Sequence, residues 1–202
     1  MSRLVVLASG HGSNLQAILH GCADGTIDAA VEAVVSDRPE AFALERARCA
    51  SVAAVAFPHR AGEDRHAYDA RLADEVTRHS PDWVVLAGWM RILSSAFLDR
   101  FPSRVVNLHP ALPGEFPGTH AVERAFDAHR HGGAARTGVM VHLVPNEGVD
   151  DGPVLATAEV VIEPDDTVDT LTERVHHEEH RILVATLARL CSPTSQLAQE
   201  NV

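Results

Sequence analysis

The sequence predicts an α/β fold: a Rossmann-like, mostly parallel twisted sheet flanked by helices, with an antiparallel strand pair toward the C-terminus. Three observations predict it. Short β-branched runs alternate with helical segments of ten to sixteen residues up to His109, the rhythm of βαβ units. The first run ends in a glycine turn, Ser9-Gly10-His11-Gly12-Ser13-Asn14, placed as in folds that bind anions between a strand and a helix. After His109 the rhythm changes to two successive strand-like runs joined by one turn.

In order, residues 3–8 (RLVVLA) read as a buried strand, and the glycine turn leads into a helix through Cys22. Residues 31–36 make a second strand and 41–50 a helix; 52–57 make a third strand and 64–79 a longer amphipathic helix. Residues 82–88 (DWVVLAG) and 104–108 (RVVNL) are the fourth and fifth strands. PALPGEFPG then runs as loop, because its prolines sustain neither helix nor sheet. A helix follows over 121–130, then strands over 136–144 and 154–162, joined by PNEGVDDGP and read as antiparallel neighbours. A long helix over 167–190, with Thr167 as its N-cap, closes the domain. With no repeat or linker, residues 1–191 are expected to form one domain and 192–202 a polar tail.

Composition narrows the function. The apolar fraction of 46 % supports a real core. A net charge of −11 argues against a nucleic-acid or anionic-membrane surface, though a local cluster of donors still suits a small anionic ligand. Cys22, Cys49 and Cys191 show neither disulfide nor metal-ligand spacing. No apolar stretch approaches a membrane span and no signal peptide is visible, so a cytoplasmic protein is expected.

Several residues carry chemistry. Asn107 and His109 stand two apart at the end of Val105-Val106, so on a strand both leave one face. An Asp from the distant turn Val149-Asp150-Asp151-Gly152 can hold the imidazole and favour its charged form. A general acid beside an oxyanion donor is the equipment of acyl transfer. The glycine turn is not a dinucleotide fingerprint, because Leu15 stands where a third glycine belongs. It suits a small phosphate helped by Ser13 and Asn14, or else a tight turn alone. Met90-Arg91-Ile92-Leu93 follows the fourth strand and offers an apolar wall with one cation, or simple core packing. Glu179 falls on the apolar stripe of the last helix, facing either an amine ligand or an arginine. His176-His177-Glu178-Glu179-His180 is one residue short of a zinc-protease motif, and no metal is expected.

These residues resemble the phosphoribosylglycinamide formyltransferase family, the folate-dependent glycinamide ribonucleotide transformylases of purine synthesis. The resemblance runs from Leu4 to about Leu190 through SGHGSNLQAI, AYDARL, VVLAGWMRIL, NLHPAL, FPGTHA, VHLV, VDDGPVL and EEH. It implies a formyltransferase fold and two small-molecule substrates, 5-phosphoribosylglycinamide and 10-formyltetrahydrofolate, the latter a co-substrate. By the same resemblance Gly12, Ser13 and Asn14 would bind the phosphate and ribose region, with His176 on the phosphate side, and Glu179 would hold the glycinamide end. Arg65, Met90, Arg91, Ile92 and Leu93 would receive the folate, with Asn107 also in contact. His109 would be the catalytic acid and Asp150 its partner, preferred over Asp151 because the pattern is apolar-Asp-x-Gly. Three departures stand out: the 112–116 loop with Glu115, His176 where Lys or Gln is common, and Trp89 for Phe.

The implied mechanism is direct attack of the glycinamide amine on the formyl carbon. Charged His109 and the Asn107 amide would stabilise the oxyanion, and His109 with a water held by Asp150 would move the proton. The rivals are a formyltetrahydrofolate deformylase, a methionyl-tRNA formyltransferase, and a non-catalytic nucleotide-binding module. The first two are expected to carry further domains. A homodimer is left open, as is oligomeric state in general.

Overall fold

β1 (Ser2–Leu7) lies at the centre of the sheet and explains its layers. Its residues are almost all inaccessible, and they alternate between faces: Leu4 and Val6 enter one apolar cluster, Val5 and Leu7 the other. A strand covered on both sides needs no polar face, hence the unbroken apolar run. The computed structural model describes residues 1–192. The tail expected from Ser192 lies, beyond that residue, outside the described residues.

The elements follow in the expected order: α1 (Ser13–Ala23), β2 (Ala29–Ser36), α2 (Phe42–Cys49), β3 (Ala53–Ala56), α3 (Arg65–Thr77), β4 (Trp83–Leu86), α4 (Ser95–Leu98), β5 (Val105–His109), α5 (Ala121–Arg130), β6 (Arg136–Leu143), β7 (Val154–Val161) and α6 (Val168–Leu190). One seven-stranded sheet has the order β3-β2-β1-β4-β5-β6-β7. The first five strands pair in parallel, and β5-β6 and β6-β7 are antiparallel. The chain reverses its direction of growth between β1 and β4, so a crevice opens at their carboxyl ends, where ligands of open α/β sheets bind.

Local chemistry sets the boundaries. Asp64 caps α3 by accepting from the His66 and Ala67 amides. Thr167 caps α6 in a reciprocal box with Thr170. α4 is absent from the sequence reading: a single turn is too short to show a 3.6-residue period. It is held from outside, by Asp69 accepting from the Ser94 amide at 2.6 Å and Glu147 accepting from Ser95 at 2.8 Å. At the far edge, Arg189 and Arg174 of α6 donate to the Leu155 and Val161 carbonyls of β7.

Candidate active site

β5 runs between β4 and β6 and delivers Asn107 and His109 to the carboxyl end of the parallel strands. Both side chains meet one carboxylate. His109 Nδ1 lies 3.2 Å from Asp150 Oδ2, and Asn107 Nδ2 donates to Asp150 Oδ1 at 3.1 Å. The Gly118 amide adds a 2.9 Å hydrogen bond to Asp150 Oδ2. Asp150, not Asp151, is thus the partner of His109; the Asp151 side chain turns back over Gly148. The turn that presents Asp150 is tightly built. Asp150 adopts a left-handed conformation, φ 53°, and a Cβ on Gly152 would fall 1.9 Å from the Leu143 carbonyl oxygen.

His109 is only 4 % exposed. Its Nε2 lies 3.1 Å from the Phe116 carbonyl, so both ring nitrogens face acceptors, an arrangement that only the doubly protonated ring satisfies. Burial works the other way. It pulls the His109 pKa down and outweighs the upward pulls of Asp150 and the Phe116 carbonyl. The expectation of a raised pKa therefore holds for the Asp150 interaction alone and not for the net direction, because the loop that caps the ring also removes it from water. Burial pushes Asp150 up in turn, but His142, the Gly118 amide and His109 outweigh it and hold the carboxyl below its usual range.

On one side of this group lies the glycine turn. Gly12 adopts φ 77° at the N-cap of α1, and a Cβ there would meet Ala43 at 2.9 Å. Ser13 and Asn14 open the helix, where free amides favour an anion. Asn14 Nδ2 donates to Glu179 Oε2 at 3.2 Å, and Asn14 Oδ1 is buried without a partner. Glu179 is 6 % exposed, and among the described residues no arginine reaches it; His176 Nε2, on a half-exposed ring, stands 3.9 Å away. Burial raises the Glu179 pKa against the opposing effects of Asn14 and His176.

On the other side is the segment after β4. Met90 and Ile92 are 56 % and 47 % exposed, Leu93 is buried, and the Arg91 guanidinium sits 4.7 Å above the Tyr68 ring. Trp89, one of the sequence departures, is buried and still borders the cleft. Arg65 is placed differently from the rest: it heads α3 with its guanidinium on Glu147, outside the lining of the cleft. Glu115 also lies outside the lining, 3.8 Å from Arg136.

One cleft of about 1170 Å³ joins both sides, with Asn107, His109 and Asp150 between them. Three residues of this site lie inside the motifs SGHGSNLQAI, FPGTHA and VHLV, yet the sequence reading gave them no role. Ser9 ties the two walls, its amide donating to the Gly88 carbonyl and its Oγ accepting from the Met90 amide, each at 3.0 Å. His142 is 2 % exposed and stands opposite Asn107 across β5 and β6. Phe116 reaches His109 through backbone alone, which side-chain identity does not reveal. Among the described residues, no group of three or more His, Cys, Asp or Glu is placed to hold a metal ion. The arrangement can hold an anion and an amine on one side, a flat apolar body on the other, and a histidine at the junction.

A formyl transferase family model matches residues 2–187. The chain is similar to a phosphoribosylglycinamide formyltransferase of Escherichia coli (strain K12), 43 % identical over 179 residues that cover 89 % of this chain and 82 % of the relative. It is 41 % identical to one from Schizosaccharomyces pombe, over 94 % of this chain and 97 % of the relative. Among solved structures, the phosphoribosylglycinamide formyltransferase of Bacillus halodurans superposes with a TM-score of 0.90 at 35 % identity, over 95 % of this chain and 96 % of the other. Glycinamide ribonucleotide transformylase 1 of Symbiobacterium toebii gives 0.87 at 43 % identity, over 93 % and 86 %.

Proposed function

The chain belongs to the formyl transferase family, and from that premise we propose that it transfers the formyl group of 10-formyltetrahydrofolate to the amine of 5-phosphoribosylglycinamide, in purine synthesis. The observation that carries the reading is His109, buried at the junction of the cleft with Nδ1 on Asp150. The donors and the carboxylate of one wall suit a phosphate and an amine, and the exposed Met90 and Ile92 of the other suit a flat ring.

The folate supplies the formyl group. On the ribonucleotide side, the amides of Gly12 and Ser13 with the Asn14 side chain hold the phosphate region, and His176 stands at its edge. Glu179 receives the amine end, which gives its buried carboxylate the cation that the free protein lacks. On the folate side, Met90, Ile92 and Leu93 form the wall. Arg91 and Arg65 lie toward the carboxylate-bearing end, and Arg65 must exchange Glu147 for the ligand.

The amine lone pair forms the new C–N bond as the carbonyl π pair moves to oxygen. His109 Nε2, on exchanging the Phe116 carbonyl for the ligand, is the donor for that oxygen. Charge developing there adds to the pull of Asp150 and tips the balance that burial holds toward the neutral ring. The proton shed by the amine passes by way of His109 to the folate nitrogen, which leaves with the electron pair of its bond to carbon. No residue becomes formylated; capture of a formyl-enzyme in rapid-quench work would count against direct transfer. Every residue in this scheme comes from one copy of the chain. We also place the protein in the cytoplasm; among the described residues no helix is long and apolar enough to cross a membrane.

The test is absorbance-monitored turnover of 10-formyl-5,8-dideazafolate, with and without the ribonucleotide, in wild type and His109→Ala. Ribonucleotide-dependent release of the deformylated folate is expected, with loss on the order of 10²–10³-fold or more in the variant. Release without the ribonucleotide would instead identify a deformylase.

A further inference from the structure

Two successive carbonyls of the glycine turn are held from behind by α2. The Gly10 carbonyl accepts from the Ala43 amide at 3.1 Å, and the His11 carbonyl accepts from Arg46 Nε at 2.9 Å. These peptides are trans, so each N–H points opposite to the carbonyl of its own peptide unit. The His11 and Gly12 amides are therefore turned away from α2, and neither donates to a backbone carbonyl among the described residues. Gly10, His11 and Gly12 border the cleft, and no described residue of α2 does. The amides face the cleft because α2 takes the carbonyls.

Three further contacts fix Arg46 in this position. Nη1 donates to Gln16 Oε1 at 2.9 Å, Nη2 lies 3.2 Å from His11 Nδ1, and the guanidinium sits 4.9 Å from the Phe42 ring centroid. Phe42 stands one helical turn earlier on α2, and the His11 ring stacks on it at 5.3 Å. Gly12 makes the close approach possible, since a Cβ there would lie 2.9 Å from Ala43.

We propose that Arg46 is the positioning residue of the phosphate turn: by holding the His11 carbonyl it aims the Gly12 amide at the anion, without touching the anion itself. The inference rests on the formyl-transfer reading, which puts the phosphate at this turn, and deepens it. Amides bind an anion only when they point at it together, and a flipped His11–Gly12 peptide would present a carbonyl oxygen instead. That peptide is the one free to turn, because glycine permits many backbone conformations. A hydrogen bond from a charged donor opposes the flip.

Lysine at this position separates direction from charge, because it keeps the cation and puts a methylene where Nε stands. In Arg46→Lys and Arg46→Met alike, the ribonucleotide KM is expected to rise about 3- to 10-fold, the worth of one hydrogen bond, with kcat and the folate KM little changed. Glycinamide ribonucleoside, which lacks the phosphate, should serve all three proteins equally well. A wild-type ribonucleotide KM in Arg46→Lys, with a raised one in Arg46→Met, would overturn the proposal in favour of plain charge attraction. So would an unchanged KM in both variants, or an equal penalty on the ribonucleoside. Titration with inorganic phosphate, followed by proton–nitrogen NMR, needs no turnover. The Gly12 amide proton is expected to move downfield in the wild type, with phosphate affinity weakened in Arg46→Lys by the same factor as the KM. An unmoved Gly12 amide, or equal affinity in the two proteins, would overturn the proposal. Absence of ribonucleotide-dependent turnover in the wild type would sink the formyl-transfer reading instead, while the phosphate titration would still decide the role of Arg46.

Discussion

Glu179 shows how a single side chain divides stability from function. Its carboxylate is buried with only an amide and a half-exposed imidazole for company, and burial raises its pKa. A carboxyl whose folded pKa exceeds its unfolded value makes the native state take up the proton first. Its ionisation therefore destabilises the fold fully above the folded pKa, and the penalty disappears as pH falls toward the unfolded value near 4.5. Glu179→Gln is predicted to raise Tm at neutral pH, by about 2–4 °C for each kcal/mol relieved, and to lose that advantage near pH 4.5. The same variant is predicted to raise the KM for the ribonucleotide; an unchanged KM would remove Glu179 from the amine site. Asp150 makes a second case. Asp150→Asn removes an upward pull on His109, so the imidazole should titrate at still lower pH by NMR, with kcat reduced on the order of 10²–10⁴-fold. The sequence disclosed these residues unevenly. Glu179 announced itself as a charge on an apolar stripe, and Asn107 and His109 as a pair at a strand end. His142 was marked only as part of VHLV and given no role, because that role depends on which residue stands across the ladder. The Phe116 carbonyl acts through backbone geometry, which leaves no mark on residue type, and the Ser9 hydroxyl meets a backbone amide 81 residues away that the sequence does not place beside it.

At the scale of elements, periodicity and caps placed every strand and every helix of more than one turn. The long helix is held at its start by Thr167 and Thr170, and Thr167→Ala is predicted to cost about 1 kcal/mol without affecting kcat, because Glu179 lies three turns away. Thermal unfolding and turnover on the same sample check this. The β6–β7 turn is the opposite case, local in sequence but central to chemistry. Gly152→Ala would drive a methyl carbon into the Leu143 carbonyl and shift Asp150, so stability and kcat should fall together. α4 was illegible because one turn has no period, and it is fixed by buried Phe97 and Leu98 and by Asp69 and Glu147, both distant in sequence. The outermost strand, β7, is protected by the last helix: Arg189 and Arg174 occupy carbonyls that an incoming strand would need.

For the whole molecule, a net charge of −11 confronts two substrates that are themselves anionic. The long-range field repels them, while on the proposed binding mode the local donors of the glycine turn and the arginines assigned to the folate attract them. Screening acts first on the long-range part, since the Debye length is about 30 Å at 0.01 M and about 10 Å at 0.1 M salt. The predicted result is a kcat/KM for the ribonucleotide that rises as salt is added to a dilute buffer, the reverse of a basic enzyme acting on anions. A monotonic fall would show that local attraction governs encounter at all distances. Ser9 carries a different consequence. Its amide and hydroxyl grip the loop after β4 while its own chain continues into the glycine turn, the proposed phosphate site, so the two walls of the cleft share one residue. Any tightening of that grip by one ligand is a free energy common to both binding events. Thermodynamic linkage then demands that whatever factor the ribonucleotide lends to folate affinity, folate returns in equal measure.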